Sequence, residues 1–352
     1  MKHLKHLAVC SGLAAAAVVL FLYPEVSVSA IRNGLVVCAN SILPSLFPFF
    51  VLSELWISLG YANLLSKLLA PVMSRLFHLP GASASALLLG AIGGYPVGAR
   101  TAARLYEQHQ LSREEAEHLL LFCNNAGPAF LFGIIGGGLF QSAAVAAALW
   151  SIHLASALLL GILFRPAPCE NRAAQSSQIT PPEFLPALTD AIKQGGRTAG
   201  TVCVFVLFFS VLSGQLRGMF PSFFSTSAGT VVLGSLELAA GCSNLSGAGF
   251  SQQWVFVVCS GLLGWGGLCV HCQTASALSE AGLSAGKYVI GKAMHALVSV
   301  ALACLTATFL PLSQTCFTAA SAPPVGAATL LSNLVLLLIL KSSSGKRVRN
   351  QI

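Results

Sequence analysis

Eight polar side chains stand inside stretches otherwise apolar enough to lie in a bilayer: Glu54, Tyr95, Asn124, Asn125, Glu237, Asn244, His271 and Gln273. A charged group there costs about 2.5 to 3.5 kcal/mol on insertion scales, so such residues mark candidate binding sites. Glu54 lies in "FPFFVLSELWISLG" and reads either as a site carboxylate or as a group near an interface that Trp56 would anchor. In "LLLFCNNAGPAFLFG", Asn124 and Asn125 precede Gly127 and Pro128. Their amides both donate and accept, and the proline frees a carbonyl one turn earlier. That set suits a neutral polar ligand, or else a cap or a bond between helices. "ELAAGCSNLSG" supplies Glu237, Ser243 and Asn244 beside Gly241. Arg100 and Arg104 would either meet an anion or mark the end of their segment.

Enzyme chemistry is poorly served. The one aspartate, Asp190, stands in a polar stretch, and HExxH, GxSxG and a Walker loop are missing. His153 and His295 are single histidines in apolar runs and read as core. Cys269 and Cys272 flank His271 as a CxxC, but without a second pair they read as packing rather than a metal or redox site. No catalytic residue, metal or cofactor is expected.

The elements that would position these side chains are membrane helices. Of 352 residues, 55% are hydrophobic and 9% charged, which excludes a water-soluble domain of this size. Apolar runs long enough to span occur near 7–23, 42–60, 142–164, 197–217, 288–311 and 324–341, with glycine-interrupted runs at 84–104, 119–140, 228–243 and 253–279. About eight to ten membrane segments are therefore expected, and the alternating pattern of a barrel strand is missing. Lys2 and Lys5 at one end, and Lys341, Lys346, Arg347 and Arg349 at the other, place both termini in the cytoplasm and make the crossings even in number. These basic residues are a topological signal rather than a nucleic-acid site. Residues 1–30 read as a retained first span, with cleavage after Ala30 as the alternative.

The polar, proline-rich stretch 165–190 separates two membrane halves, 31–164 and 191–312, and a final span with a basic tail fills 313–352. The halves echo each other. "IRNG" at 31–34 matches "IKQG" at 192–195, "FFVLSEL" at 49–55 matches "FFSVLSGQL" at 208–216, and "GGYPVGARTA" matches "GGLCVHCQTA". Helix breaks are expected at Pro44, Pro48, Gly93, Gly94, Pro96, Gly98, Gly127, Pro128, Gly266 and Gly267. Broken backbone survives at membrane depth only when buried in protein or facing a cavity. The expectation is an all-α polytopic membrane protein of two repeated halves with discontinuous helices, the pattern of transporter-like folds.

"ILPSLFPFFVLSELW", "GGYPVGARTA", "FCNNAGPAFLFG" and "GGLCVHCQ", in this order, resemble the YlbJ family of sporulation integral membrane proteins. That family lies in the wider nucleoside-recognition or Gate group, with the SpmA and SpmB sporulation proteins, concentrative nucleoside transporters and the FeoB membrane domain. The resemblance runs from about Ile31 to Leu312. It implies a multi-pass protein of the cytoplasmic membrane of a spore former, needed for a normal spore. It also implies inverted repeats around a midplane site for a small polar solute, nucleoside-like or ionic. Expected partners are the lipid bilayer and that solute, with a second copy or sporulation membrane proteins as possible companions. The alternative is a scaffold or sensor for spore-envelope assembly, acting through the stretches 105–118 and 165–190.

Overall fold

A computed structural model describes residues 10–12, 14, 17–166 and 183–310. Lys2 and Lys5, most of the 165–190 stretch, the C-terminal span and the basic tail lie outside the described residues. Every element described is helical, with no strand among the described residues.

The first half begins with α1 (Pro24–Val37), a π-helical turn at Cys38–Ile42, and α2 (Leu43–Ser58), followed by α3 (Tyr61–Val72). Pro44 and Pro48 do not break the chain, contrary to expectation. Pro44 follows directly on the π-helical turn Cys38–Ile42, which runs into α2 with helical dihedrals, and Pro48 removes one bond from a helix that continues through it. A hairpin of half-length helices comes next, α4 (Ser83–Gly93) and α5 (Val97–Glu107), turning at Gly94–Pro96. The short α6 (Arg113–Leu119) starts on the capping box that the sequence announced, Ser112 with Glu115. An unwound stretch then leads through Pro128 into a π-helical segment, Ala129–Phe140, and the half closes with α7 (Ala143–Leu163).

The second half runs through α8 (Phe184–Met219), the single turn α9 (Pro221–Phe224), α10 (Ser227–Leu236) and α11 (Leu238–Asn244), then α12 (Gln252–Trp265), α13 (Gly267–Glu280) and α14 (Gly286–Ala307). The polar stretch between the halves thus ends sooner than read, because α8 is already helical at Phe184.

Among the described residues, four helical stretches are long and apolar enough to cross a bilayer: Ala143–Leu163, Phe184–Met219, Gln252–Glu280 and Gly286–Ala307. A fifth is reached if Cys10–Leu22 and Pro24–Asn40, bent by 90°, count as one span. Shorter apolar helices, Leu46–Ser58, Ser83–Gly93, Ala129–Phe140 and Ser227–Leu236, complete the set. Leu163, Val204, Leu297 and Leu305 are exposed along these helices. Water would penalise that much outward apolar surface, whereas lipid does not. The protein is an all-α polytopic membrane protein.

In element order, each half contributes a hairpin, a discontinuous segment and a closing helix. The hairpins are α4–α5 and α10–α11. Their arms touch because a Cβ on Gly90 or Gly241 would collide with the facing arm at Gly98 or Gly234. Each hairpin turn rests on the break of its own half, Gly94 against Gly127 and Leu236–Leu238 against Gly267. Tyr95 therefore pairs with Glu237, and His153 pairs with His295 at the same separation along the chain. The glycine phrases matched in the sequence are consequently out of register: "GGYP" is a hairpin turn, while "GGLC" interrupts a long helix. Gly98 is likewise not a break, but lies inside α5, where its bare Cα admits the Cys123 carbonyl.

Gly161, near the end of α7, and Gly291, near the start of α14, both face Leu121–Phe122. The two closing helices therefore run antiparallel and cross at His153 and His295, whose ring centroids are 4.3 Å apart. This repeat-related pair thus points in opposite directions, as inverted halves would require.

Candidate functional site

Breaking a helix releases backbone N–H and C=O groups, and lipid cannot satisfy them. Here the freed groups are taken up by polar side chains from neighbouring helices. In the first break, the Ala126 N–H donates to His153 Nε2 at 2.9 Å, and the Asn124 carbonyl accepts from Lys292 Nζ at 3.2 Å. At the second, the Leu263 carbonyl accepts from the Tyr95 hydroxyl at 2.7 Å, and the Trp265 carbonyl accepts from His271 Nε2 at 3.0 Å. The Tyr95 bond joins the hairpin of one half to the broken helix of the other. Asn124 adds a second cross-tie, its Nδ2 donating to Thr274 Oγ1 at 3.0 Å while its Oδ1 accepts from the Ala99 N–H at 3.4 Å.

Lys292 is the hub of this network. It is 1% exposed, and its ammonium reaches three acceptors: the Asn124 carbonyl, His295 Nδ1 at 3.0 Å and the Tyr95 oxygen at 3.4 Å. An ammonium has three donors, so its capacity is used in full. His295 Nε2 in turn donates to the His153 carbonyl at 2.8 Å. Lys292 also sits 5.1 Å from the Tyr95 ring centroid. No carboxylate lies within ion-pairing distance of it among the described residues.

In front of the network is a cavity of about 810 Å³ between α1 and α8 on one side and the hairpin turns and breaks on the other. Gly94, Tyr95, Gly127, Glu237, Cys269 and Gln273 form its inner wall. Glu237 caps α11, its carboxylate accepting from the Ala239 N–H at 3.1 Å and the Ala240 N–H at 2.6 Å. Gln273 Nε2 donates to Cys269 Sγ at 3.3 Å. Tyr95 and Glu237, the repeat-related pair, thus face the same space from opposite halves. Glu25 and Arg217 stand where the cavity meets the far end of α8.

Of the eight candidates, Tyr95, Glu237 and Gln273 line the cavity. Asn124 lies one layer behind, joined to it through Lys292 and Tyr95. Asn125 is fully buried, its Nδ2 donating to the Phe122 carbonyl at 2.9 Å. His271 is packed between Trp265 and Tyr288, with centroids 4.1 Å and 5.1 Å away. Asn244 turns back onto the Ala240 carbonyl, and Glu54 lies away from the cavity, 3.9 Å from Arg100. Those two are not brought to the common wall, because α2 and the end of α11 face elsewhere. Cys272 is exposed while Cys269 is buried, so the CxxC does not act as a pair. Lys292 escaped the sequence reading, whereas His153 and His295 were read as core and are indeed buried, without their bonds to the break and to Lys292 being foreseen. The signal was present: a lysine inside the run 288–311, three residues before a histidine on the same helix face.

A family model described as nucleoside recognition, the Gate model, matches residues 39–167, which hold the first hairpin, the first break and α7. The chain is 29% identical over 308 residues to the sporulation integral membrane protein YlbJ of Bacillus subtilis (strain 168), covering 78% of this chain and 76% of that protein. No solved structure matches the chain.

Proposed function

Taking the chain as the YlbJ-type protein that both comparisons support, we propose that it serves spore formation in the cytoplasmic membrane by binding and moving a small polar solute. The observation that carries the proposal is the cavity of about 810 Å³ onto which elements of both inverted halves open, with Tyr95 and Glu237 facing it as counterparts. Its walls are mainly apolar, with a few converging polar groups, which is the usual composition of a small-molecule site. Glu237 and Gln273 offer oxygens to a solute that donates hydrogen bonds. The residues act by binding and orienting, with no enzymatic step, and both termini are assigned to the cytoplasm.

The test is uptake into liposomes holding the purified protein, across a panel of labelled nucleosides, cations and small metabolites. Saturable uptake that is lost in Glu237→Gln and Gln273→Ala supports the proposal, and no flux across the panel overturns it. In cells, the same substitutions should lower heat-resistant spore counts while changes on the solvated face of α6, such as Glu114→Ala, leave them unaltered. The reverse pattern would favour a scaffold acting through its surface.

A further inference from the structure

One face of α8 is lined by pocket residues from Thr198 to Arg217. Thr198 and Thr201 border a crevice, Val202 borders both crevice and cavity, and Val206, Ser210 and Arg217 border the cavity alone. From Thr198 to Arg217 a helix rises by about 28 Å, close to the hydrocarbon thickness of a bilayer. The two spaces also share Gln273 on α13. They therefore form one line across the membrane, pinched between Val202 and Gln273.

Beyond the pinch the space falls to about 10 Å³, too small for a solute. Arg100 stands there with Pro96 and Glu280, and its Nη2 lies 3.9 Å from Glu54 Oε1. Neither partner of that pair is fully exposed, with side chains 24% and 16% accessible. The charged groups that line the two spaces are Glu25, Glu237 and Glu280 against Arg217 and Arg100, with Glu54 behind Arg100 and Lys292 behind Tyr95. One acid in excess favours a neutral or cationic solute over an anion.

We propose that the cavity and the crevice are the open and closed ends of one path across the membrane for a neutral or cationic solute that donates hydrogen bonds, with Arg100, held by Glu54, as the gate at the closed end. This deepens the function proposed above and rests on it for the existence of a solute. Arg100 is a positioning residue: its guanidinium reaches from α5 towards Glu54 on α2, beside the crevice that Pro96, Val202 and Gln273 border.

The test needs no transported solute, so it can fail while solute binding stands. Ser210 and Ser243 line the cavity and neither is buried, so Ser210→Cys and Ser243→Cys report access to it. Oriented liposomes of either full-length variant are treated on one side with the membrane-impermeant cationic thiol reagent MTSET, and labelling of the introduced cysteine is read by peptide mass spectrometry. The expected result is labelling from the Arg217 face alone with Arg100 in place and from both faces in Arg100→Ala, with at least a tenfold gain from the Arg100 face. The exchange Arg100→Glu with Glu54→Arg should restore one-sided labelling. Labelling of both reporters from neither face, from both faces with Arg100 in place, or unchanged by Arg100→Ala overturns the proposal.

Discussion

Removing one oxygen atom tests the central claim about the network. Tyr95→Phe keeps the ring but deletes the hydroxyl that donates to the Leu263 carbonyl and accepts from Lys292. A buried carbonyl left without a donor costs about 1 to 3 kcal/mol, and a bond to a charged group is worth about 1.5 to 3 kcal/mol. Fully dry, the substitution would therefore cost about 2.5 to 6 kcal/mol. Tyr95 borders the cavity, however, and water entering from it can satisfy part of the deficit. A loss of about 1 to 3 kcal/mol is accordingly expected when unfolding is followed in mixed detergent micelles. A double-mutant cycle with Lys292→Met isolates the pair. Hydrogen bonds between membrane helices average only about 0.6 kcal/mol in such cycles, so a charge-assisted bond this deeply buried should exceed 1 kcal/mol. Additivity of the two substitutions within about 0.3 kcal/mol would refute the reasoning, because the hydroxyl would then not couple the second break to the ammonium.

Two further outcomes follow from the packing. Gly98→Ala should destabilise by about 1 to 3 kcal/mol or abolish folding, since its Cβ would meet the backbone carbonyl of Cys123, which cannot move as a flexible side chain would; an unchanged melting temperature in detergent would count against the close hairpin. His118, on α6 outside the spans, is pulled from its ordinary 6.5 down to about 4 by burial and then by nearby Lys287. The unfolded chain takes up this proton near pH 6.5 and the folded protein only near pH 4, so stability present above pH 6.5 is lost as pH falls through that window. Melting temperatures of the native protein and His118→Gln between pH 8 and pH 4 should converge at high pH and separate in this range, with the variant falling less steeply.

Residue type was a good guide where a polar group carried its own local cost. Tyr95, Glu237 and Gln273 drew notice because a polar side chain in an apolar run must meet something, and the fold sets all three on the cavity wall. Ser112 with Glu115 was found because the capping box is a local device. The register of the repeat was misread because glycine serves two purposes here. Gly94 and Gly266 supply positive φ, at 82° and 86°, whereas Gly98 and Gly241 supply close approach. Two glycine phrases can therefore look alike and play different parts. Lys292 was hidden by the apolar run around it; His295 lies only three residues on, but its other two partners, Tyr95 and the Asn124 carbonyl, come from segments far away in the chain, which no window of sequence brings together. Glu54 was read as a site because its cost was visible while its partner, Arg100, lay on another helix.

The length of α8 fixes something about depth. With 36 residues it measures about 54 Å, well beyond a hydrocarbon layer of about 30 Å. Arg197 and Arg217 stand exposed at either end of its apolar portion. Sliding α8 along the membrane normal would drag one of these guanidinium groups into lipid, at a cost rising towards about 2.5 to 3.5 kcal/mol at the centre. The helix is moored at both surfaces like a mast stepped and stayed. Any displacement that changes which end of the path is open falls to the hairpins and broken helices, moving past a fixed post rather than carrying it with them.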